Sequence, residues 1–507
     1  MPQQSDAAGF HSPACECCGG LGLRLSRRGL FGAALAGTAI AHELAAPTAW
    51  AQAAATLPGR GEFVIRGGYV LTVDPAQPDL PTGDVHVRDG VIVAIAETVE
   101  APPGAEIIDA RRMIVMPGLI DTHWHVWNSL QRNWLTDEAG YMATKNATAK
   151  HYSATDFYNS SRLAFAEALN AGVTSTYNYA HNVISPEHAA AEMKAHEDSG
   201  IRGVYGYGSP DLHPEGSQMD IDDFKRVHRE WARRSSREKD LVRLGVALRG
   251  PRSTTSEVFD LEMKTARELG APIIFHGGQS VRATASTAEL KQKGYLSPNL
   301  TLVHFILATP QDRENMAANG VSLSYTTEGE LKQRVGDAGG QLLHMAHAGV
   351  NVSLSFDGNS ISPVDLFSSM RIAWDIATPK EGTSTEMLAP LKFMQCLEMG
   401  TINGARALGL DKITGSLTPG KRADIILLRA DDLNMVPFAN VDCAIVRSAT
   451  PANVDSVIVD GRVVKRGGRL TGVDVEAVKR AAAASAYAIR QKAGGRLAPK
   501  TGVAPAY

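Results

Sequence analysis

The sequence is poor in cysteine. Only five of its 507 residues are cysteines, too few and too scattered for a disulfide framework, even in an exported protein. Cys15, Cys17 and Cys18 lie in CECCGG near the start of the chain, where a small metal knuckle is the weaker alternative to a segment that is cleaved off. Cys396 is expected in a helix and Cys443 in a strand, both as buried packing residues.

Long apolar runs and blocks of positive charge are also missing. The 51 Lys and Arg residues are balanced by 54 Asp and Glu residues, which gives a net charge of −3. Without a Lys/Arg-rich block, nothing in the sequence indicates a nucleic-acid partner. The content of 44% hydrophobic and 21% charged residues is ordinary for a globular protein.

The first 51 residues have the features of an export signal. Arg27 and Arg28 precede an apolar run at residues 29–41, which is too short to span a bilayer. The small-x-small triplet at 49–51 is a typical cleavage site. The whole of 1–51 therefore resembles a twin-arginine signal peptide, and we expect a periplasmic or secreted protein with no membrane anchor after cleavage. The alternative is an uncleaved tail with a chance arginine pair.

Short β-rich runs alternate with longer amphipathic segments through the middle of the chain. Many of these segments end in Gly, and two begin at Ser185-Pro186 and Thr309-Pro310, as helices do. Eight strand–helix units predict a parallel α/β fold, a (β/α)8 TIM-like barrel over 116–412. The predicted strands are 115–121, 172–181, 201–208, 241–250, 271–278, 301–305, 320–327 and 351–358.

The flanking segments have a different pattern. Residues 62–115 and 413–470 contain alternating strands with tight turns at Asp89-Gly90 and Asp460-Gly461. Neither half is large enough to be stable alone, so we expect one composite β-sandwich built from both chain ends. Residues 471–507 predict a helix, from about 473 to 492, followed by a tail.

Polar side chains occur where several barrel strands end. The carboxyl ends of parallel barrel strands meet at one mouth, and the predicted ends carry His123, His125, His276, His304 and Asp357. In extended backbone the residues at i and i+2 point the same way. His123 and His125 can therefore face one ion together, while Trp124 points elsewhere.

Three imidazoles and one carboxylate suit a divalent metal ion. His123, His125, His276 and Asp357 are the predicted ligands, with Zn²⁺ the first candidate and Fe²⁺ or Mn²⁺ the alternatives. Such an ion lowers the pKa of water to near neutrality.

The same residues resemble a known family, the amidohydrolase superfamily. The resemblance rests on PGLIDTHWH (117–125), the two later strand-end histidines, SFDG (355–358) and GSLTPGKRADIILL (415–428). It implies a barrel with a β domain from both chain ends. The branch that includes cytosine deaminase and triazine hydrolase is the most similar, because strand 4 ends in Leu-Arg-Gly without the lysine that binuclear members need. This implies one metal ion, and because dimers are usual in the family the resemblance also implies a homodimer.

The resemblance also implies roles for two catalytic residues. Asp357 would bind metal and accept a proton from the attacking water. His304 would polarise the substrate or carry protons, which a near-neutral pKa permits; the alternative is a histidine buried in the core.

One departure from the family pattern concerns strand 5. Deaminases of this branch have H-x-x-E there, whereas this chain has His276-Gly277-Gly278-Gln279. Glutamine donates a hydrogen bond but cannot deliver a proton. Gln279 either orients the substrate or faces a loop.

Four further residues are candidates for substrate binding. His181 follows strand 2, with structural packing the alternative. Arg249, after strand 4, faces either the substrate or a neighbouring acid, and the acid is favoured slightly. Glu328 follows strand 7, and Trp127 belongs to an aromatic group after strand 1 that either walls the pocket or packs.

The leading hypothesis is an exported metal-dependent hydrolase of a non-peptide C–N bond, amide-, urea- or amidine-like, in a small cyclic or aromatic substrate. A deaminase of an aminated heterocycle is the second hypothesis. The third is a non-catalytic binding protein on the same scaffold, although such proteins lose metal ligands and this chain keeps them.

Overall fold

The computed structural model describes residues 57–137, 140–278, 284–333 and 335–494. The predicted signal peptide, Gln279 and the C-terminal tail beyond 494 lie outside these ranges. Within them the strands form two sheets, one of eight parallel strands and one of nine mixed strands.

The eight parallel strands form the predicted barrel. They follow one another in sequence order around the sheet, and a parallel bridge between Trp124 and Asp357 joins the first strand region to the last. The bridge consists of two backbone hydrogen bonds, from Asp357 N to His123 O at 2.9 Å and from His125 N to Asp357 O at 2.6 Å. The barrel strands are β6 (Leu119–Trp124), β7 (Val173–Ala180), β8 (Arg202–Gly208), β9 (Val242–Leu248), β10 (Ile273–His276), β11 (Leu300–Val303), β12 (Ser322–Tyr325) and β13 (Asn351–Leu354).

Helices connect these strands and cover the barrel. Thr309 caps its helix through a hydrogen bond from Asp312 N, with Pro310 in the first turn. Ser185-Pro186 also begins a helix, but the Ser185 hydroxyl turns to Glu187 instead of capping. The helices are α1 (Tyr141–Thr148), α2 (Ala154–Asn170), α3 (Pro186–Ser199), α4 (Ile221–Ala232), α5 (Ser236–Leu241), α6 (Ser256–Glu268), α7 (Thr287–Gln292), α8 (Pro310–Ala318), α9 (Thr327–Gln333), α10 (Ala338–His347), α11 (Leu366–Ile376), α12 (Phe393–Met399), α13 (Ile402–Ala407), α14 (Val441–Cys443) and α15 (Val475–Lys492).

The second sheet combines both ends of the chain. The amino-terminal and carboxyl-terminal strands meet where β5 pairs with β14 in antiparallel register. Asp89-Gly90 and Asp460-Gly461 form the predicted turns, and all four residues have positive φ, as two-residue hairpins require. The strands are β1 (Glu62–Val70), β2 (Leu80–Arg88), β3 (Val91–Ala96), β4 (Glu106–Asp109), β5 (Met113–Pro117), β14 (Ile425–Arg429), β15 (Val454–Val459), β16 (Arg462–Arg466) and β17 (Arg469–Leu470). They share a hydrophobic cluster of their own, apart from that of the barrel.

The predicted first strand, 115–121, spans parts of two strands. β5 ends at Pro117 in the mixed sheet, and β6 begins at Leu119 in the barrel. Gly118 lies between them, and a Cβ there would lie 2.1 Å from Thr174 Oγ1. Only glycine therefore allows the chain to pass so close to β7 while it changes sheet.

The two remaining cysteines differ in their surroundings. Cys396 is buried in α12, as expected. The prediction of a strand at Cys443 is wrong, since this residue ends the short helix α14 and is only partly buried. Asn440 caps that helix by accepting a hydrogen bond from Cys443 N, and a local cap of this kind competes with strand formation.

A buried ionic seam joins the amino end of the barrel to the mixed sheet. Arg202, the first residue of β8, is fully buried and donates hydrogen bonds to both Asp424 and Asp460. Asp424 also accepts a hydrogen bond from Asp460 N at 2.8 Å. Arg60 and Arg422 pair with Asp460 from the other side. Every charged group in this seam therefore has an oppositely charged partner.

No helix in the described ranges is both long and apolar enough to cross a membrane.

Candidate metal centre

Four of the predicted site residues meet at the carboxyl end of the barrel. His123 lies in β6 and His125 just after it, while His276 ends β10 and Asp357 follows β13. One potential ligand atom from each residue lies within 4.8 Å of those of the other three. His123 and His125 point to the same side, with ring centroids 4.6 Å apart. Trp124 points away and donates a hydrogen bond to Asn359 Oδ1 at 2.8 Å, as the alternation predicts.

The hydrogen bonding within this cluster fits a cation. Asp357 Oδ1 lies 3.1 Å from His125 Nε2 and 3.3 Å from His123 Nε2. His123 is fully buried, yet neither of its ring nitrogens has a well-aligned hydrogen-bond partner among the described groups. A buried polar atom without a partner is costly, so a ligand that binds these nitrogens would remove the cost. The four residues therefore fit a divalent metal ion of the kind that nitrogen and oxygen ligands prefer.

The protonation states also suit a metal. Burial, together with the neighbouring imidazoles, lowers the pKa of His125 to about 3 and places the pKa of His276 well below its usual value. Burial likewise lowers the pKa of His123. For Asp357 burial acts in the opposite direction, but the contacts with His123 and His125 outweigh it, and the pKa of this carboxyl is well below its usual range. Neutral imidazoles and an ionised carboxylate are the forms that bind metal.

An unusual backbone conformation directs two side chains, those of Asp357 and His304, toward the cluster. Asp357 and His304 both have left-handed backbones, with φ of 64° and 66°. Such conformations are uncommon outside glycine and occur where surrounding structure enforces them. At Asp357 the enforcing contacts are the closing bridge and Asp121, whose Oδ1 accepts a hydrogen bond from Phe356 N at 2.9 Å. Asp121 is fully buried, and burial raises its pKa to about 7.

His304 approaches the cluster from β11. Its Nε2 lies 3.9 Å from Asp357 Oδ2, and its Nδ1 lies 2.8 Å from Glu330 Oε2 on α9. Burial disfavours the charged imidazole, but Glu330 and Asp357 outweigh this, so the pKa of His304 is raised. Burial also raises the pKa of Glu330, which is almost completely inaccessible.

Sequence reasoning missed Glu330. It selected Glu328, which lies in the same helix but pairs with Lys332 at 3.5 Å. The two glutamates of TTEGE are two residues apart, so they lie on different faces of the helix. No signal in the sequence fixes where this helix starts, and so none shows which face points to the cluster. The phase decides which of them reaches His304.

His181 approaches the cluster from the end of β7. Its Nδ1 lies 3.0 Å from His125 Nδ1 and 3.2 Å from Trp127 Nε1, and its Nε2 lies 2.9 Å from Asp211 Oδ1. Asp211 also binds Lys145 at 2.5 Å. Neither Asp211 nor Lys145 was selected from the sequence, since both belong to the connections between strands, where one sequence gives no geometric signal.

The other predicted substrate contacts have different positions. Trp127 is fully buried and packs on Phe157, so it supports His181 instead of lining an open wall. Arg249 donates hydrogen bonds to the carbonyl oxygens of His213, Pro214 and Ser217, and in the described ranges it forms no ion pair with an acid. The preference for an acidic partner is therefore wrong, because a loop supplies carbonyls that satisfy the guanidinium first. Gln279 lies outside the described residues.

Comparison with known proteins places the chain in a family. Residues 114–464 match the model of the Amidohydrolase family. The chain belongs to the amidohydrolase family. This confirms the resemblance seen in the sequence and identifies the protein as a hydrolase of carbon–nitrogen bonds other than peptide bonds.

Two deaminase relatives match over nearly their whole length. A 5'-deoxyadenosine deaminase of Methanosarcina mazei is 29% identical over 436 residues, which cover 82% of this chain and 96% of the relative. A 5-methylthioadenosine/S-adenosylhomocysteine deaminase of Desulforudis audaxviator is 30% identical over 442 residues, or 83% and 97% of the two chains.

Solved structures show the same fold. An adenosine deaminase from Xanthomonas campestris with bound zinc superposes with a TM-score of 0.74 at 23% identity, covering 86% of this chain and all of the other. An atrazine chlorohydrolase from Arthrobacter aurescens, also complexed with zinc, gives a TM-score of 0.73 at 20% identity over 84% of this chain and all of the other.

Proposed function

We propose that this amidohydrolase uses a metal-activated water to cleave the C–N bond between a ring carbon and the exocyclic amino group of a nitrogen heterocycle. The proposal rests on one observation: the side chains of His123, His125, His276 and Asp357 form a largely buried cluster. His304 and its partner Glu330 lie beside this cluster. The reaction consumes water and releases ammonia and the corresponding oxo compound.

His123, His125, His276 and Asp357 would hold one divalent ion, with Zn²⁺ the first candidate and Fe²⁺ or Mn²⁺ the alternatives. When bound, the ion would supply Lewis acidity that makes water a nucleophile near neutral pH. The relatives with bound zinc support this choice of metal.

Asp357 and His304 would move the protons. Asp357 is ionised and accepts a proton from the attacking water. His304 Nε2 is directed toward the same space, 3.9 Å from Asp357 Oδ2, and would pass a proton to the substrate nitrogen. Glu330 holds the other ring nitrogen and stabilises the charged form of His304, so this pair supplies the acid that Gln279 cannot.

The substrate class is supported by the two relatives of about 30% identity, which are named as deaminases of 5'-deoxyadenosine and of 5-methylthioadenosine or S-adenosylhomocysteine. The glutamine at position 279 favours a second candidate, an amide- or urea-like C–N bond, because such a substrate needs no protonation of a ring nitrogen. A binding protein without catalysis is the least supported function, since this chain keeps all four ligand residues.

The test is to load the purified enzyme with zinc and screen two substrate panels. One panel contains aminated purines and their 5'-modified nucleosides, assayed for ammonia; the other contains cyclic ureas, anilides and triazines, assayed for product. We expect ammonia release from the first panel that disappears when the enzyme is stripped of metal. Turnover of the second panel alone would favour the second candidate, and no turnover with full zinc occupancy would contradict both.

We also propose that the protein is exported as a folded enzyme, on the basis of the arginine pair and the apolar run within residues 1–51. Expression of the full chain in a bacterium with and without its twin-arginine transport system tests this. Activity should appear in the periplasm only when the system is present, and Arg27→Lys with Arg28→Lys should keep it in the cytoplasm.

A further inference from the structure

The predicted ligand His125 is attached to a chain of buried polar groups that the catalytic proposal does not use. The chain runs from Lys145 on α1 through Asp211 and His181 to the His125 ring, and Trp127 joins it at His181. The charged side chains of Lys145 and Asp211 are only 8% and 4% exposed. Their contact is bidentate, at 2.5 and 2.6 Å.

The loop after β8 is held in place for this contact. Asn182 has a left-handed backbone, with φ of 75°, directly after His181. Its Oδ1 accepts a hydrogen bond from Asp211 N at 3.2 Å, and its Nδ2 donates to Ala149 O at 3.0 Å. Asn182 thus fixes the ends of α1 and of the Asp211 loop to the strand end that carries His181.

The direction of each hydrogen bond follows from the donors. Trp127 Nε1 carries a hydrogen and can only donate, so His181 Nδ1, 3.2 Å away, must accept. The hydrogen of His181 then lies on Nε2, where Asp211 Oδ1 accepts it at 2.9 Å. His181 Nδ1 also lies 3.4 Å from Tyr179 O, a longer contact that would need a hydrogen on Nδ1. That hydrogen would point at the hydrogen of Trp127 Nε1, so we reject this arrangement.

The same reasoning extends to the metal ligand. His125 Nδ1 lies 3.0 Å from His181 Nδ1, and two nitrogens at that distance need one hydrogen between them. Since His181 accepts, the hydrogen belongs to His125 Nδ1, and the single lone pair of His181 Nδ1 is shared between this hydrogen and that of Trp127 Nε1. The lone pair of His125 is then on Nε2, which faces Asp357 Oδ1 at 3.1 Å.

We propose that Lys145, Asp211, His181 and Trp127 are positioning residues that select Nε2 of His125 as the metal-binding nitrogen and hold its ring in place. The inference rests on the proposed metal centre and deepens it. It assigns to His181 a role in metal affinity, where the sequence indicated substrate binding. Partners that orient a metal-binding histidine in this way commonly change metal affinity by about 10- to 100-fold.

The experiment measures zinc affinity by competition with a chelating dye in the full-length protein. We expect His181→Leu to weaken zinc binding about 10- to 100-fold. His181→Gln should rescue much of the loss, because a carboxamide can accept from His125 and donate to Asp211. The control is His188→Gln. His188 is also buried, but it contacts the Ser185 hydroxyl and the Tyr152 carbonyl and none of the four positioning residues. The zinc affinity of this variant should equal that of the wild type.

A second measurement does not depend on how the variants fold. Nitrogen-15 NMR of zinc-loaded wild-type protein should show the hydrogen of His125 on Nδ1 and a lone pair on Nε2. A hydrogen on Nε2, or equal zinc affinity in His181→Leu and the wild type, would overturn the inference and leave the metal centre intact. Failure of the wild type to bind zinc would overturn the proposed function and this inference together.

Discussion

The two ends of the barrel both bury charged groups, but they treat them differently. At the amino end, Arg202 lies between Asp424 and Asp460, and each carboxylate has a guanidinium partner. At the carboxyl end, His123 has two buried ring nitrogens without aligned partners in the described structure. The charged groups of the seam are all paired within the protein, whereas the mouth leaves two ring nitrogens that a ligand could bind.

This difference separates stability from chemistry. Removing one partner of a buried ion pair strongly destabilises the folded protein, because the other charge is left buried without a partner. A cluster that is left short of partners adds less to folding and is available to a ligand. We therefore expect substitutions in the seam mainly to lower stability, and substitutions at the mouth mainly to lower turnover.

The largest effect is expected at the mouth. Asp357→Asn removes a proposed ligand and the proposed proton acceptor, so turnover should fall by at least about a thousandfold, in the range seen when a member of a catalytic unit is lost. The free energy of unfolding should change little, because asparagine is nearly the same size as aspartate and the bridge that closes the barrel uses only backbone atoms of residue 357. Steady-state kinetics and chemical denaturation measure the two; retained turnover would contradict the role of Asp357.

At the seam, Arg202→Leu should leave two buried carboxylates without their central partner. We expect a loss of about 3–5 kcal/mol in the free energy of unfolding, measured by urea denaturation of the metal-loaded protein. Arg243→Leu is the matched control: Arg243 lies near the start of β9 and donates to the Gly409 carbonyl at 2.6 Å, so its loss should cost much less. Equal costs would mean that the seam has no special role.

His304→Asn should keep the metal and lower kcat about a hundredfold, the usual size of an acid–base contribution. Glu330→Gln tests the partner, because the amide can keep a hydrogen bond to His304 but not its charge. Its kcat should fall less than that of His304→Asn. An unchanged kcat in His304→Asn, with zinc content equal to the wild type, would remove this histidine from the mechanism.

The most gradual effect, spread over several pH units, concerns a buried acid on α3. Glu192 on α3 accepts hydrogen bonds from Ser161 and Asn178 at its Oε1, and burial raises its pKa to about 8. The unfolded chain loses this proton near pH 4.5, so folding stability should decrease as pH rises from about 4.5 to about 8, by at most about 1.4 kcal/mol per pH unit. Glu192→Gln should flatten that dependence in thermal melts and leave melting at pH 4 nearly unchanged. A slope identical to that of the wild type would contradict the raised pKa.

Much of the barrel, and the meeting of the four candidate ligands at its mouth, could be predicted from sequence. The alternation of short strands and helices fixes a parallel fold, and strand-end residues of such a fold converge whatever their separation in sequence. The two-residue period then places His123 and His125 on one side. These inferences need only element types, and small errors in element boundaries do not disturb them.

The partners of the site could not be predicted in the same way. Glu330 depends on the phase of α9, and Asp211 depends on the path of a long connection. Arg249 depends on which carbonyls a loop presents. Each of these is decided by tertiary contacts, which local patterns do not encode.

The bridge between Trp124 and Asp357 has a consequence for biogenesis. It joins the first barrel strand to the residues after the last, and the predicted ligands lie on both sides of that junction. Until position 357 has been synthesised, the four candidate ligands cannot be together, so an ion bound there would enter a chain whose barrel strands are already made and would not act as a template for early folding.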